Sequence, residues 1–383
     1  MATRVAYLAE SLGDVPRAWN RGVAELLRAT GGNAGNLAFW HAARLLFDAE
    51  EVQLVSRDTR ACDVAASVEV FVIPAANFLH AGADLARLAE LVRALSRPCL
   101  VVGLGAQAES EAAPPTLKPG TLDFLREVSR LAPNICVRGT FSRDFCAALG
   151  VHNTTVLGCP SVLVNPDARL GERIETEIAA LAETTGPLAV HAACIKSGLQ
   201  SVERELARLV MLHAGSAYIV QRPVELMQPI YGEAASTPTE IAYFERCADF
   251  LGFANPAALT DFLRAHGQVP ISINDWVHGL RRFRAGVNTR IHGTMIGIAA
   301  GLPSLCVCHD TRTRELAQQL RVPHLAPRDF IEHRYSVPAL FAATRFSGSH
   351  FDAGRRELAA GYAAAVRAVG LAPSRHLLGF VDP

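Results

Sequence analysis

Short apolar runs of strand length alternate with amphipathic stretches of helix length along most of this chain. That alternation leaves few folds open, because strands separated by helices pair in parallel and bury both faces of the sheet under helices. In the first half the strands read as Val5–Leu8, Val52–Val55, Val70–Ile73, Leu100–Gly103, Ile135–Val137 and Thr154–Leu157. Helices read over Asn36–Phe47, Asp84–Ser96, Thr121–Leu131 and Ser142–Leu149, the last closed by Gly150 as a C-cap. Residues 106–120, with three prolines, read as a loop. The pattern breaks at Asn165-Pro166-Asp167, and after a helical stretch at 173–184 a second series begins. Its strands read as Leu188–His191, Tyr218–Gln221, Val269–Ile273, Ala285–Thr289 and Ser304–Cys308, with helices near 236–252 and 256–266.

The expected architecture is therefore α/β, with two Rossmann-like domains facing a cleft. The amino-terminal domain spans 1–168 and the carboxy-terminal one 169–350, while 351–383 supplies a helix and tail that packs back across both. In open parallel sheets ligands bind beyond the carboxyl ends of the strands, so the residues that matter lie where each apolar run stops.

Composition narrows the class. The 383 residues are 50% hydrophobic, and 37 basic side chains cancel 37 acidic ones. Such a balance offers no electrostatic footprint for nucleic acid or an anionic membrane. Only Lys118 and Lys196 are lysines; the remaining cations are arginines, whose planar forks suit carboxylate and phosphate. The nine cysteines include no C-x-x-C pair and lie mostly in apolar runs, so they read as reduced, buried thiols of a cytosolic protein, with no metal expected. The start MATRVAYLAESLGD lacks the long apolar core of a secretory signal. Residues 293–308 are too short to span a bilayer and are broken by Gly301-Leu302-Pro303, so no transmembrane segment is expected.

The most informative segment is Asn288–Pro303. A strand ends, Arg290 and His292 stand at the turn, Gly293 permits a close backbone approach, and a helix of small residues follows with its free N–H groups facing any anion. An imidazole beside a guanidinium favours its neutral form, as an acid/base group near pH 7 requires. A core histidine with a structural arginine fits the same spacing. The next strand ends in His309-Asp310-Thr311-Arg312, with Asp310 or Thr311 as helix cap and Arg312 toward the cleft. Arg138 and Ser142 repeat the arrangement in the first domain. Three turns, Gly31–Asn36, Pro74–Phe78 and Gly103–Gln107, place Asn36, Asn77 and Gln107 as further contacts. His191 with Lys196, and Gln221 with Arg222, end two strands of the second domain and serve the acceptor or the core. Asp275 and Trp276 read as a helix cap and a packing residue. The chain lacks a P-loop, a G-x-S-x-G elbow and H-E-x-x-H, which sets aside ATP hydrolysis, serine hydrolysis and zincin chemistry.

Four segments together carry a resemblance: GNAGNLAFWHAARLL (32–46), VRGTFSRDFCAALGV (137–151), GCPSVLV (158–164) and RIHGTMIGIAAGLPSLCVCHDTRTRELAQQL (290–320). In this order they resemble the polysaccharide pyruvyl transferase family, over roughly residues 32 to 325. The R-x-H-G block with its D-x-R sequel is the most specific part. The chain departs from the family pattern at Pro74-Ala75-Ala76-Asn77, where a glycine-rich turn is usual, and at Gly158-Cys159-Pro160, where G-D-P is usual.

The resemblance implies a fold like that of two-domain GT-B glycosyltransferases. It implies transfer of the enolpyruvyl unit of phosphoenolpyruvate onto two hydroxyls of one sugar, giving a cyclic ketal. Arg138, Arg290 and Arg312 would hold the donor and His292 would act as general acid/base. Asn36, Asn77, Gln107, Ser142, His191, Gln221 and Asp310 would be the further donor or acceptor contacts. No cofactor or metal is implied beyond phosphoenolpyruvate as co-substrate. The partner would be a saccharide, lipid-linked or free, met in the cytoplasm or at the cytoplasmic face of the membrane during exopolysaccharide or cell-envelope synthesis; a homo-oligomer is compatible with this. The alternative is a GT-B glycosyltransferase using a nucleotide sugar, whose ribose would need a carboxylate such as Glu225 or Glu315.

Overall fold

The computed structural model describes residues 3–108, 114–181 and 186–381 of the protein. Two parallel six-stranded sheets dominate it. The first contains β1 (Arg4–Leu8), β2 (Glu51–Val55), β3 (Val70–Pro74), β4 (Cys99–Leu104), β5 (Ile135–Val137) and β6 (Thr154–Val156), in the spatial order β2-β1-β3-β4-β5-β6. The second contains β7 (Leu188–Ala192), β8 (Ala217–Val220), β9 (Gly267–Gln268), β10 (Ala285–Asn288), β11 (Ser304–Val307) and β12 (His324–Leu325), in the order β9-β8-β7-β10-β11-β12. Both are doubly wound, Rossmann-like orders, and each reverses direction once: between β1 and β3 in the first sheet, between β7 and β10 in the second.

The central strands show why the sequence forms them. β3, β4, β7, β8, β10 and β11 are buried at every position, as strands covered by helices on both faces must be. The helix Pro119–Leu131 instead alternates, burying Phe124, Leu125 and Val128 while Arg126 and Arg130 stay outside.

Several expected boundaries shift for identifiable reasons. The run Val269–Ile273 does not form a strand. Pairing with β8 stops at Gln268, Val15 donates its N–H to the Ile271 carbonyl, and Ser272 caps a helix that begins at Ile273. Ser272, not Asp275, is thus the cap. The helix from Asn36 ends at Arg44, and Phe47–Asp48 pairs antiparallel with Ala372–Pro373, a long-range partner invisible to local periodicity. The helix expected at 173–184 is Leu170–Ala179, with 182–184 outside the described residues, as are 109–113 of the expected loop and Met1 and Ala2. No described helix is long and apolar enough to cross a membrane.

The last long helix, Gly348–Ala368, returns to the first sheet's side of the molecule. Tyr362 donates to the Gly158 carbonyl at 2.9 Å, and buried Arg355 donates to the carbonyls of Val162 (3.0 Å), Asp167 (2.6 Å) and Asn165. Asp352 accepts from the N–H groups of Gly171 (2.8 Å) and Glu172 (3.2 Å), capping the helix Leu170–Ala179 in trans. Gly171 and Gly348 meet so closely that a Cβ on either would lie 2.3 Å from the other's carbonyl oxygen.

Arg355 is the hub of this return, and burial lowers its pKa to about 10, which still leaves it charged at neutral pH. Replacing it with methionine strands three carbonyls and the Asp352 carboxylate. The expected loss is about 3–5 kcal/mol, the cost of breaking a buried, hydrogen-bonded charge. A lowered urea midpoint with an unchanged slope would register it.

Candidate active site

A cleft of about 600 Å³ opens where the carboxyl ends of the two sheets face one another. It sits at both reversal points, as the topology requires. Glu10 lies just past β1 and Asn77 just past β3; Ala193 and Cys194 follow β7, and Arg290 follows β10.

Arg138, Arg290, His292 and Arg312 all line this cleft, together with Asn36, Asn77 and Gln107. Arg138 is 2% exposed and donates through Nε to the Gly103 carbonyl at 3.0 Å. Arg290 donates through Nε to the Ala192 carbonyl at 3.1 Å and through one Nη to both the Ala193 and Arg222 carbonyls. Asn77 follows Ala76, which holds a left-handed φ of 46°, and donates to Gln107. The Asn36 amide is turned onto the carbonyls of Thr30 and Gly31.

Eight buried side-chain polar atoms have no hydrogen-bond partner among the described residues, and four of them meet here: an Nη of Arg138, Nε of Arg312, Nε2 of His292 and Oδ1 of Asn77. Buried polar atoms in folded proteins are nearly always paired, so a cluster of orphans in one cleft marks where a ligand completes them.

The electrostatics follow from this crowding. Burial first, then the charges of Arg138 and Arg312, push the His292 pKa down to about 3. Its imidazole is therefore neutral at pH 7, with Phe39 packed 5.6 Å from it. Burial also lowers the Arg138 pKa, with Arg312 adding to the effect, yet a guanidinium keeps its proton. The site is thus a set of desolvated donors around a neutral base.

Other expected contacts do not line the cleft. Ser142 is fully buried, with its N–H and Oγ both held by the Glu315 carboxylate, at 2.8 and 3.0 Å. That clasp joins the helix after Arg138 to the helix carrying Arg312. His191 is locked between Asn288 at Nδ1 (2.7 Å) and the Trp276 indole at Nε2 (3.0 Å). Its ring fills the space beside Gly293, where a Cβ would come within 2.3 Å, so the glycine serves this packing. Gln221 is buried against Gly35, and Asp310 caps the helix Thr311–Gln319 while pairing with Lys196 at 3.2 Å. Glu225 is likewise absent from the cleft wall, as is Glu315, so neither carboxylate offered for a ribose faces it. Trp276 does more than pack, since it fixes the His191 ring.

Lys196 and Arg222 do reach the cleft, and so do Glu10, Arg57, Asp58, His80 and Tyr243, which sequence reasoning missed. Glu10 and Asp58 follow neighbouring strands, a juxtaposition that only the β1–β2 pairing creates. Buried Glu203 was missed as well, because it stands on a helix face with no motif to mark it. No group of three or more His, Cys, Asp or Glu suited to a metal ion occurs among the described residues.

The profile of the polysaccharide pyruvyl transferase family matches residues 33–311, most of the chain and all of the cleft-lining segments from Asn36 to Arg290. The chain belongs to the polysaccharide pyruvyl transferase family. It is accordingly a transferase with an α/β fold of two Rossmann-like halves. No curated protein matches it. Solved structures similar to it include a Listeria monocytogenes protein described as a UDP-N-acetylglucosamine 2-epimerase, 10% identical with a TM-score of 0.45 over 96% of this chain and 98% of that one. The UDP-N-acetylglucosamine 2-epimerase of Rickettsia bellii is 10% identical at a TM-score of 0.42, covering 96% of both chains. The UDP-GlcNAc 2-epimerase of Methanocaldococcus jannaschii, in complex with UDP-GlcNAc and UDP, is 7% identical at 0.42, over 94% of this chain and 98% of that one.

Three buried histidines predict how the protein responds to acid. His191 and His309 titrate at about 4 and His292 at about 3, all lowered mainly by burial from 6.5. The unfolded chain binds protons that the folded one refuses, so their contribution is whole above pH 6.5 and falls away below it. Each is expected to cost about 2 kcal/mol by pH 5. Urea unfolding at pH 7 and pH 5 measures this, and His292→Gln should flatten the difference by one histidine's share.

Proposed function

We propose that this transferase moves the enolpyruvyl group of phosphoenolpyruvate onto two hydroxyls of one sugar in a polysaccharide or its precursor, with the donor bound by Arg138, Arg290 and Arg312 and protons handled by His292. The observation that supports this reading is the convergence of unpaired Arg138, Arg312 and His292 nitrogens in one desolvated cleft. Phosphoenolpyruvate carries a phosphate and a carboxylate, and guanidinium forks match both in bidentate geometry. The cleft volume leaves room beside so small a donor for a sugar ring.

The chemistry balances with these groups. Donor charge offsets the field of Arg138 and Arg312, so His292 gains a proton as the donor arrives. That proton moves to the methylene carbon, which becomes the methyl group, and leaves a cationic centre at C2. A sugar hydroxyl adds there and returns its proton to the imidazole. The bond from C2 to the phosphate oxygen then breaks, its electron pair leaving with phosphate onto the arginines. The neighbouring hydroxyl closes the ketal, and its proton ends on the departing phosphate. Placing donors where this negative charge develops, in a dry site, is the largest lever such a site has.

Two measurements check the reading. Titration calorimetry of phosphoenolpyruvate should show binding with proton uptake, seen as a heat that varies with the buffer's ionisation enthalpy; Arg312→Ala should weaken binding by about ten- to a hundredfold, the cost of one charge-assisted contact. His292→Ala should keep the fold and lower turnover by about 10²–10⁴-fold, as loss of an acid/base group does. Binding of nucleotide sugars in place of phosphoenolpyruvate would overturn the donor assignment, and undiminished turnover in His292→Ala would overturn the mechanism.

A further inference from the structure

Glu203 is fully buried on the first turn of the helix Gln200–Leu212, outside the cleft. Its carboxylate nonetheless gathers donors from both strand ends that flank the reversal point of the second sheet. One oxygen accepts from the Thr289 hydroxyl at 2.6 Å and from the Cys194 N–H at 3.1 Å. The other accepts from the Ala193 N–H at 2.9 Å and from the Tyr218 hydroxyl at 3.5 Å. Tyr218 also receives the Ala193 N–H at 3.0 Å. Ala193 holds a left-handed φ of 65°, a conformation costly for a residue with a Cβ unless its surroundings enforce it. Two successive N–H groups at such a turn form a concave anion cradle, and here the protein fills the cradle with its own carboxylate.

The turn that Glu203 fixes reaches the cleft by three routes. The Ala193 carbonyl, with that of Ala192, receives the Arg290 guanidinium. Cys194, Ile195 and Lys196 continue the turn along the cleft wall. Thr289 directly precedes Arg290, and its own N–H is tied to the His191 carbonyl at 3.0 Å.

We propose that Glu203 is a positioning residue for the transfer reaction. It pins the Ala193–Cys194 turn to Thr289, and so fixes where Arg290 and Lys196 present their charges to the donor. The role rests on the proposed donor site but acts through the turn, which can be tested without any substrate. Glu203→Gln keeps the volume and replaces one acceptor oxygen by an N–H₂ group, which leaves the backbone N–H of Ala193 or of Cys194 without its carboxylate acceptor. Thr289→Val removes the hydroxyl and keeps the shape. The Cys194 thiol, buried at this turn, reports its opening.

Thiol labelling read peptide by peptide should show Cys194 modified at least tenfold faster in Glu203→Gln than in the wild type, with Cys136 and Cys306 unchanged. Phosphoenolpyruvate binding should weaken by about ten- to a hundredfold in both variants, the scale of a misplaced binding group. The double variant should lose little more than either single one, because both break the same link. Slow Cys194 labelling in folded Glu203→Gln, or additive losses in the double variant, would overturn the positioning role. Failure of wild-type protein to bind phosphoenolpyruvate would instead overturn the donor assignment, leaving the labelling result to decide the role of Glu203. Should Glu203→Gln fail to fold, Thr289→Val carries both readouts.

Discussion

Crowding Arg138 and Arg312 around one buried imidazole, with the Asp310 carboxylate 3.6 Å from Arg312, sets the terms for much of this molecule. Arg138 and Arg312 disfavour a proton on His292, and Arg138 and His292 have both given up water. Such an arrangement holds only if neighbouring parts are rigid enough to keep the groups from turning away. The Gly103 carbonyl takes one edge of Arg138, and the Glu315 clasp ties the helix that follows it to the helix bearing Arg312. On the other side Glu203 and the Ala192–Ala193 carbonyls restrain Arg290. The buried acids Glu203 and Glu315 stand behind the cleft, bonded to backbone and hydroxyl groups, while Asp310 pairs with Lys196 and Arg312.

The apolar periodicity made the sheets legible, since a fully buried parallel strand can hardly be written without a run of Val, Ile, Leu and Cys. It also located the cleft, because strand ends and chemistry coincide in such folds. Arg138, Arg290, His292 and Arg312 were visible because each stands at the turn that follows an apolar run. The errors share a cause. Val269–Ile273 has the composition of a strand, but Pro270 lies within it and a side chain at Ser272 competes for the backbone, so tertiary pairing with Val15 decides the outcome. His191, Ser142 and Asp310 also end strands or start helices, yet their side chains are spent on internal partners, and which way a side chain turns at a strand end is not periodic.

What the sequence could not show is adjacency across long separations. Ser142 and Glu315 stand 173 residues apart, and Thr289 and Glu203 stand 86 apart. Cys159, where the family pattern carries an aspartate, illustrates the same point from another side. It is buried near Arg138, and its sulfur accepts from Ser161 at 3.1 Å. A thiol in that place leaves Arg138 without a close carboxylate partner, and a charge thus uncommitted within the protein is the more available to an anionic ligand.

The return of the Gly348–Ala368 helix has a consequence for how the chain is made. The layer under the first sheet is finished by residues from the far end: Tyr362 on Gly158, Arg355 on the 162–167 turn, and Ser374 on the carbonyls of Leu45 and Leu46. A ribosome delivers the first sheet's strands long before those residues, at about 5–20 residues per second. The amino-terminal half therefore waits roughly ten seconds or more with an open flank, while the second sheet, complete by Leu325, can close first. The half of this protein that is made first is thus covered by the residues that are made last.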